Sequence, residues 1–164
     1  MVFVVEITDE YYNQLLAGQS AGLLIAESKK GCPILVVHEA SIEEIRAQKL
    51  DELRLFDSSE AVNQFSINGV LGWLNKSTRV GLMNSINIEK EAGRSETSIW
   101  IGDTKFVLSI ERAIDILQQL ELYALASYDT TQRHTKAIQQ LETKEEIEAY
   151  NFKTGYPGKL SFTG

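Results

Sequence analysis

The sequence predicts an α+β protein, because two β-hairpin patterns and one long amphipathic helix occur in a chain of 164 residues. The clearest hairpin pattern is Asn68-Gly69 between apolar flanks, since both residues tolerate the positive φ angles of a type I′ turn. The second is Gly102-Asp103 between runs rich in β-branched and aromatic residues. Together they predict a small antiparallel sheet from two hairpins, packed on the long C-terminal helix, with a small N-terminal β-α-β-β lobe.

The N-terminal lobe is predicted from a strand, a helix and a hairpin in succession. Residues 2–7 are mostly β-branched or aromatic, which favours a strand, and Thr8 or Asp9 can cap the helix that follows. The polar residues 28–31 then separate two apolar runs, which is typical of a hairpin. We therefore assign residues 1–38 to this lobe.

A helix is predicted to connect the lobe to the rest of the chain. Ser41 followed by Glu44 is a capping box, in which each side chain satisfies a backbone N–H of the other. We assign residues 39–58 to this connecting helix and residues 59–164 to an α+β domain. Within that domain, residues 77–92 suit another helix, whose apolar face would hold Val80, Met83 and Ile86.

The longest helix is predicted over residues 110–141, with Ser109 as its N-cap. A stripe along this helix is apolar at both ends and polar in the middle, which disfavours a coiled coil and indicates that different partners, within the chain or outside it, cover its two halves. After it, Thr143 and Glu146 form a second capping box, and the tail is expected to dock on the body. The residues of the stripe lie seven apart: Ile110, Leu117, Ala124, Thr131 and Ile138.

The charge and the single cysteine restrict the partners and the compartment. The formal net charge is −7, so the molecule as a whole repels phosphate backbones and anionic lipid, and we predict no nucleic-acid partner. No stretch approaches the roughly eighteen apolar residues of a membrane span, so we predict no membrane partner. Because Cys32 is the only cysteine, no intramolecular disulfide can form, and this favours a reducing compartment such as the cytoplasm.

The residue patterns of common enzymes are not found in the sequence. His38 and His134 lack the spacing of a metal site, and no glycine-rich phosphate-binding motif occurs. Ser127 and His134 share a helix face but stand roughly 10 Å apart by the helical rise, which is beyond hydrogen-bond reach. We therefore predict no metal, no cofactor and no catalytic activity.

Aromatic side chains are the best candidates for a functional surface. Trp73 and Trp100 can either pack the core of the sheet or form an exposed platform. Tyr128 and Tyr156 lie late in the chain and suit a protein interface, where tyrosine is enriched.

Several stretches also match a family pattern: residues 60–69 (EAVNQFSING), 73–85 (WLNKSTRVGLMNS), 99–102 (IWIG) and 155–157 (GYP). In these stretches the chain resembles a C-terminal domain family of unknown function, encoded in bacterial genomes and phages. The resemblance implies a prophage or phage setting, among tail or tail-fibre-associated proteins, and it supplies no catalytic residues. Within the matching motifs it singles out Trp73, Arg79 and Trp100 for testing.

Two functions remain open at this point. The first is a non-catalytic phage structural or assembly protein, a homo-oligomer with protein partners such as tail components, located in the host cytoplasm or the virion. The alternative is a host-encoded module that binds a small ligand or a carbohydrate on aromatic platforms. The alternative predicts a pocket lined by Trp73 and Trp100.

Overall fold

The computed structural model describes residues 5–163 and confirms the α+β fold class. The chain divides into two compact units, residues 1–41 and 42–164. Among the described residues, no helix is both long enough and apolar enough to cross a bilayer. The elements, in chain order, are α1 (Asp9–Ser20), β1 (Leu24–Glu27), β2 (Pro33–Val36), α2 (Ile42–Asp57), β3 (Phe65–Ile67), β4 (Val70–Gly72), α3 (Lys76–Glu91), β5 (Glu96–Ile101), β6 (Thr104–Ser109), α4 (Ile110–Gln140), α5 (Lys144–Ala149) and β7 (Ser161–Phe162).

The N-terminal unit consists of α1 beside an antiparallel hairpin of β1 and β2. Thr8 caps α1, as predicted, by accepting a hydrogen bond from the backbone N–H of Tyr11. The Tyr11 hydroxyl then donates to the carbonyl of Pro33 over 2.6 Å, which ties the helix to the hairpin. The strand predicted over residues 2–7 lies partly outside the described residues, and residues 5–7 have no strand structure. In the described part of this unit, the sheet therefore has two strands.

Helix α2 groups with the second unit instead of standing apart as a connector. Its Leu53 is 1% exposed and packs with Ile138 of α4, Ile147 of α5 and Phe152 in a small hydrophobic core. The prediction of a separate helix over residues 39–58 missed this contact. Periodicity in a sequence shows which face of a helix is apolar, but not which element covers it.

The two hairpins of the second unit form at the predicted turns but belong to separate sheets. Asn68 and Gly69 have φ angles of 50° and 82°, as a type I′ turn requires. The tail strand β7 pairs parallel to β3, so that sheet has the order β4-β3-β7, while β5 and β6 form a separate two-stranded sheet among residues 5–163. This differs from the predicted single antiparallel sheet. The hairpins instead meet through side-chain packing, because Gly72 lies against the Ile101 side chain with no room for a Cβ.

Helix α4 contributes to two cores, which confirms that different partners cover its two halves. Ser109 caps it as predicted, accepting from the backbone N–H of Arg112 over 3.2 Å. Its second half places Ile138 in the small core with α2 and α5. Its first half packs against the sheets and α3 in the main core, whose members include Phe65, Ile67, Ile86, Ile99, Phe106, Ile116, Leu117, Leu120 and Phe162.

The two features predicted for the C-terminal segment, a capping box at Thr143 and a docked tail, are both present. Thr143 and Glu146 form both hydrogen bonds of the predicted capping box at the start of α5. The Thr143 hydroxyl, and then the backbone N–H groups of Thr143 and Glu142, donate to the Glu146 carboxylate and lower the pKa of that carboxyl. Phe162 of β7 is 5% exposed, so the tail docks on the body as expected.

Candidate functional site

A buried arginine forms part of the wall of a groove between α3 and α4. The side chain of Arg79 is 6% exposed, so its charge requires close polar partners. Its Nε donates to Oε2 of Glu121 over 2.7 Å, and its Nη1 donates to the carbonyl of Leu74 over 2.6 Å. The groove has a volume of about 420 Å³ and is lined by Arg79, Val80, Met83, Asn84, Asn87, Leu117 and Glu121.

Trp73 packs into the molecule and contacts Arg79. Its ring lies edge-on to Phe65 and Tyr123, with centroid distances of 6.5 Å and 6.0 Å. The guanidinium carbon of Arg79 stands 5.4 Å from the Trp73 ring centroid, a cation–π contact. The small cavity beside Trp73, about 150 Å³, is lined mainly by polar residues of the preceding loop and by β4. The structure therefore brings two of the predicted residues, Trp73 and Arg79, into one cluster.

Trp100 stands on the outward face of the β5–β6 hairpin. It is 58% exposed, and Val107 on the neighbouring strand is 59% exposed. Trp100 pairs with Lys105 and Val107 pairs with Ser98, so the two large apolar side chains are diagonal neighbours on one face. Trp100 therefore offers an open platform, whereas Trp73 is part of the packing.

Tyr156 belongs to a polar network that ties the C-terminal tail to α2 and α4. The Thr131 hydroxyl donates to Oδ1 of Asp57 over 2.6 Å, so the Tyr156 hydroxyl, 2.8 Å from Thr131 Oγ1, is the donor in that contact. The Tyr156 ring also stacks on His134 at 5.9 Å. Burial, and to a smaller extent the Asp57 charge, raises the pKa of Tyr156. Tyr156 therefore acts in the fold as a fastening point for the tail.

His134 is held by hydrogen bonds at both ring nitrogens. Its Nε2 lies 2.8 Å from the carbonyl of Thr154, and its Nδ1 lies 2.8 Å from the hydroxyl of Tyr150. A carbonyl can only accept, so Nε2 carries a proton and donates it to Thr154. Neither nitrogen is available as a base for Ser127. Within the part of the chain that the structure describes, no group of three or more candidate ligands could hold a metal ion.

The middle of α4 is inverted relative to an ordinary amphipathic helix. Ser127 and Thr130 face inward and are 5% and 2% exposed. Leu122, Leu125 and Tyr128 face outward and are 67%, 56% and 58% exposed. We call these three outward side chains the outer α4 patch. The sequence analysis named Tyr128 as a candidate but not Leu122 or Leu125. A signal was present, because the stripe of α4 residues that lie seven apart is polar in its middle, which indicates that the nearby leucines face another direction.

Comparison with known proteins provides no relative. No protein-family model, curated protein or solved structure matches the chain. The resemblance to a phage-encoded domain family thus stays a prediction, and the function has to be argued from the geometry of the molecule.

Proposed function

We propose that this chain is a non-catalytic structural or assembly protein of a phage or prophage, associated with the tail, and that it acts by binding protein. The observation that carries the proposal is the outer α4 patch. Three large apolar side chains, Leu122, Leu125 and Tyr128, follow one another at intervals of three on the solvent side of the longest helix. Contiguous exposed apolar side chains of this kind mark surfaces that bind other proteins.

The exposed leucines of α4 are more informative because polar residues of the same helix are buried, an arrangement that does not stabilise the fold. The same stretch of α4 buries the hydroxyls of Ser127, Thr130 and Thr131 while leaving leucines in water. Each large aliphatic side chain gains roughly 1.5–3 kcal/mol from burial, so the fold alone would favour the opposite arrangement. A partner that covers the patch supplies the missing burial.

The polar groups best suited to chemistry serve structural roles, which supports a non-catalytic protein. Arg79 is paired with Glu121, and both nitrogens of His134 are bonded. Tyr156 fastens the tail to Thr131. Each of these side chains stabilises a contact between elements.

The proposal also includes a location and partners. We place the chain in the cytoplasm of a bacterial host or in the virion, with phage tail components and a second copy of itself as partners. The net charge of −7 disfavours a nucleic-acid partner.

The test is to delete the gene in its lysogen, induce the phage and measure the titre, with mass spectrometry of purified particles and cleared lysate from the undeleted strain. We expect the protein in particles or in lysate complexes with tail proteins, and a fall in titre on deletion. An unchanged titre, with the protein absent from particles and from tail complexes, would contradict the proposal.

A second candidate function is a small-ligand or carbohydrate binding module, and the exposed Trp100 favours it. A flat aromatic face with an apolar neighbour, Val107, suits stacking against a sugar ring. The test is quenching of tryptophan fluorescence by a panel of bacterial oligosaccharides, comparing wild type with Trp100→Ala. Saturable quenching that Trp100→Ala abolishes would support this function, and a flat response across the panel would exclude it.

A further inference from the structure

The outward side of α4 carries a line of eight positions, here called the seam, of which the two in the middle, Leu122 and Leu125, are apolar and the rest are polar. Eight of its positions recur at alternating intervals of four and three, while the apolar stripe on the opposite side faces the cores. The side chain of Asp115 is 47% exposed, and the other seven residues are exposed. In order they are Glu111, Asp115, Gln118, Leu122, Leu125, Asp129, Gln132 and Lys136.

Charges of opposite sign lie at the two ends of this seam. Glu111 and Asp115 stand near the helix N-terminus, whereas Lys136 and the adjacent Arg133 stand near the C-terminus. Among the described residues, neither Glu111 nor Lys136 takes part in an ion pair. The leucines occupy the middle. Glu111 and Lys136 are equidistant from the middle of the seam, so each can face the other in a reversed copy, while Asp115 and Asp129 would face uncharged glutamines.

We propose that α4 pairs antiparallel with α4 of a second copy of this chain, about a twofold axis between Leu122 and Leu125. The proposal rests on the proposed function, because it names a partner for the same surface. The axis places each Leu122 opposite Leu125 of the other copy and each Glu111 opposite Lys136 of the other copy. Such an isologous interface repeats every contact twice.

The charges also select the antiparallel direction. In a parallel pair, Glu111 would face Glu111 and Lys136 would face Lys136, and like charges across an interface oppose association. In the antiparallel pair, Glu111 of each copy attracts Lys136 of the other copy. Gln118 then lies opposite Asp129 of the second copy, where its amide can donate to the carboxylate.

The length of the seam suits a modest affinity. From residue 111 to residue 136 the helix rises about 38 Å. Two helices in contact over that length bury on the order of 1,000 Å², near the lower limit of a specific interface. Because only two leucines per copy lie at the centre, we expect a dissociation constant of about 1 µM.

A charge swap tests both the partner and the direction. Sedimentation equilibrium of the full chain at low salt should show a dimer. Glu111→Lys and Lys136→Glu should each weaken dimerisation by roughly tenfold, because each places two like-charge pairs across the interface. The double variant Glu111→Lys/Lys136→Glu restores opposite charges at both sites and should dimerise as tightly as wild type.

A change at the centre of the seam provides the second arm. Leu122→Glu should give a monomer, whereas Leu55→Glu is the matched control. Leu55 is 55% exposed on α2, and its replacement should leave the dimer intact. Circular dichroism confirms that each variant is folded.

The outcomes separate this inference from the proposed function. A wild-type monomer at about 100 µM, a hundred times the expected dissociation constant, would overturn the inference, as would a double swap that fails to restore a dimer lost in the single variants. A monomer that still enters phage particles would leave the proposed function standing. A dimer with the predicted charge response, in a phage that assembles normally without it, would support the inference and overturn the function.

Discussion

The guanidinium of Arg79 is held from three directions, by a carboxylate, a carbonyl and an aromatic face. The two ends of its ion pair are not equivalent, because Arg79 is 6% exposed whereas the side chain of Glu121 is 49% exposed. Water can solvate a Glu121 that has lost its partner. It can solvate a buried Arg79 far less, so the energetic consequence of losing the pair lies with the arginine.

We therefore expect Glu121→Gln to lower the free energy of unfolding by about 1–3 kcal/mol, since it leaves a buried guanidinium without a counter-charge. Asp51→Asn is the control, because its partner Arg54 is 68% exposed. That change should cost under about 0.5 kcal/mol. Urea unfolding measures both, and equal effects would contradict the burial argument.

The hydroxyl of Tyr156 gives a prediction at high pH. Burial raises its pKa above the ordinary value of 10.0, and the pKa of Tyr123 is raised for the same reason. Since the folded state holds these protons more tightly, their stabilisation is fully present below pH 10 and declines as pH rises through the folded-state pKa values. We expect Tyr156→Phe to make the decline shallower without removing it, because Tyr123 remains. Thermal unfolding between pH 8 and pH 12 measures this, and curves of identical slope would count against it.

At single residues, the sequence located some of the site and misplaced the rest. It singled out Trp73 and Arg79, which are in contact. It also placed Val80 on the apolar face of its helix, although Val80 is 58% exposed and Arg79 is buried. Neighbouring helix positions differ by about 100° in direction, so a periodic pattern with one charged member leaves the rotation of the helix undetermined.

Among the elements, the two hairpins of the second unit are joined where β4 meets β5. No Cβ fits at Gly72, because the Ile101 side chain occupies that space. The close approach replaces the hydrogen-bonded pairing that a single sheet would have provided. Gly72 is thus required by packing and not by backbone conformation.

Gly72→Ala should accordingly destabilise the protein by about 1–3 kcal/mol through overpacking. The matched control is Gly81→Ala in α3, where an added Cβ meets no atom within 4 Å. That change should raise stability by up to about 1 kcal/mol, since alanine favours helix over glycine. Chemical denaturation measures the free energy of unfolding of both variants, and changes of the same sign would refute the packing explanation.

The elements also show which parts of the fold a sequence can predict. The Asn68-Gly69 turn and the caps at Ser109 and Thr143 are local patterns, and all three form as expected. The parallel pairing of β3 with β7 joins residues 95 apart, as between Ser66 and Ser161. No local pattern encodes that contact, and for this reason the sequence predicted one antiparallel sheet from the two hairpins and missed the parallel strand β7.

At the scale of the whole molecule, the second unit holds the two hydrophobic cores of the described residues and every candidate site residue. Its cores bury side chains such as Phe65, Leu53 and Ile138, while the outer α4 patch leaves apolar surface uncovered on the longest helix. This exposed apolar surface is the feature on which the proposed protein-binding function rests. The sequence predicted the class of function through a resemblance, but the surface that would perform it became visible only in the structure.

The most direct test is to complement the deleted lysogen with the variant Leu122→Glu/Leu125→Glu and to measure phage titre and particle incorporation. Both side chains are exposed, so the variant should fold as wild type does. We expect it to lose incorporation and titre, while the Leu55→Glu control complements fully. Full complementation by the patch variant would contradict the claim that this surface binds the partner.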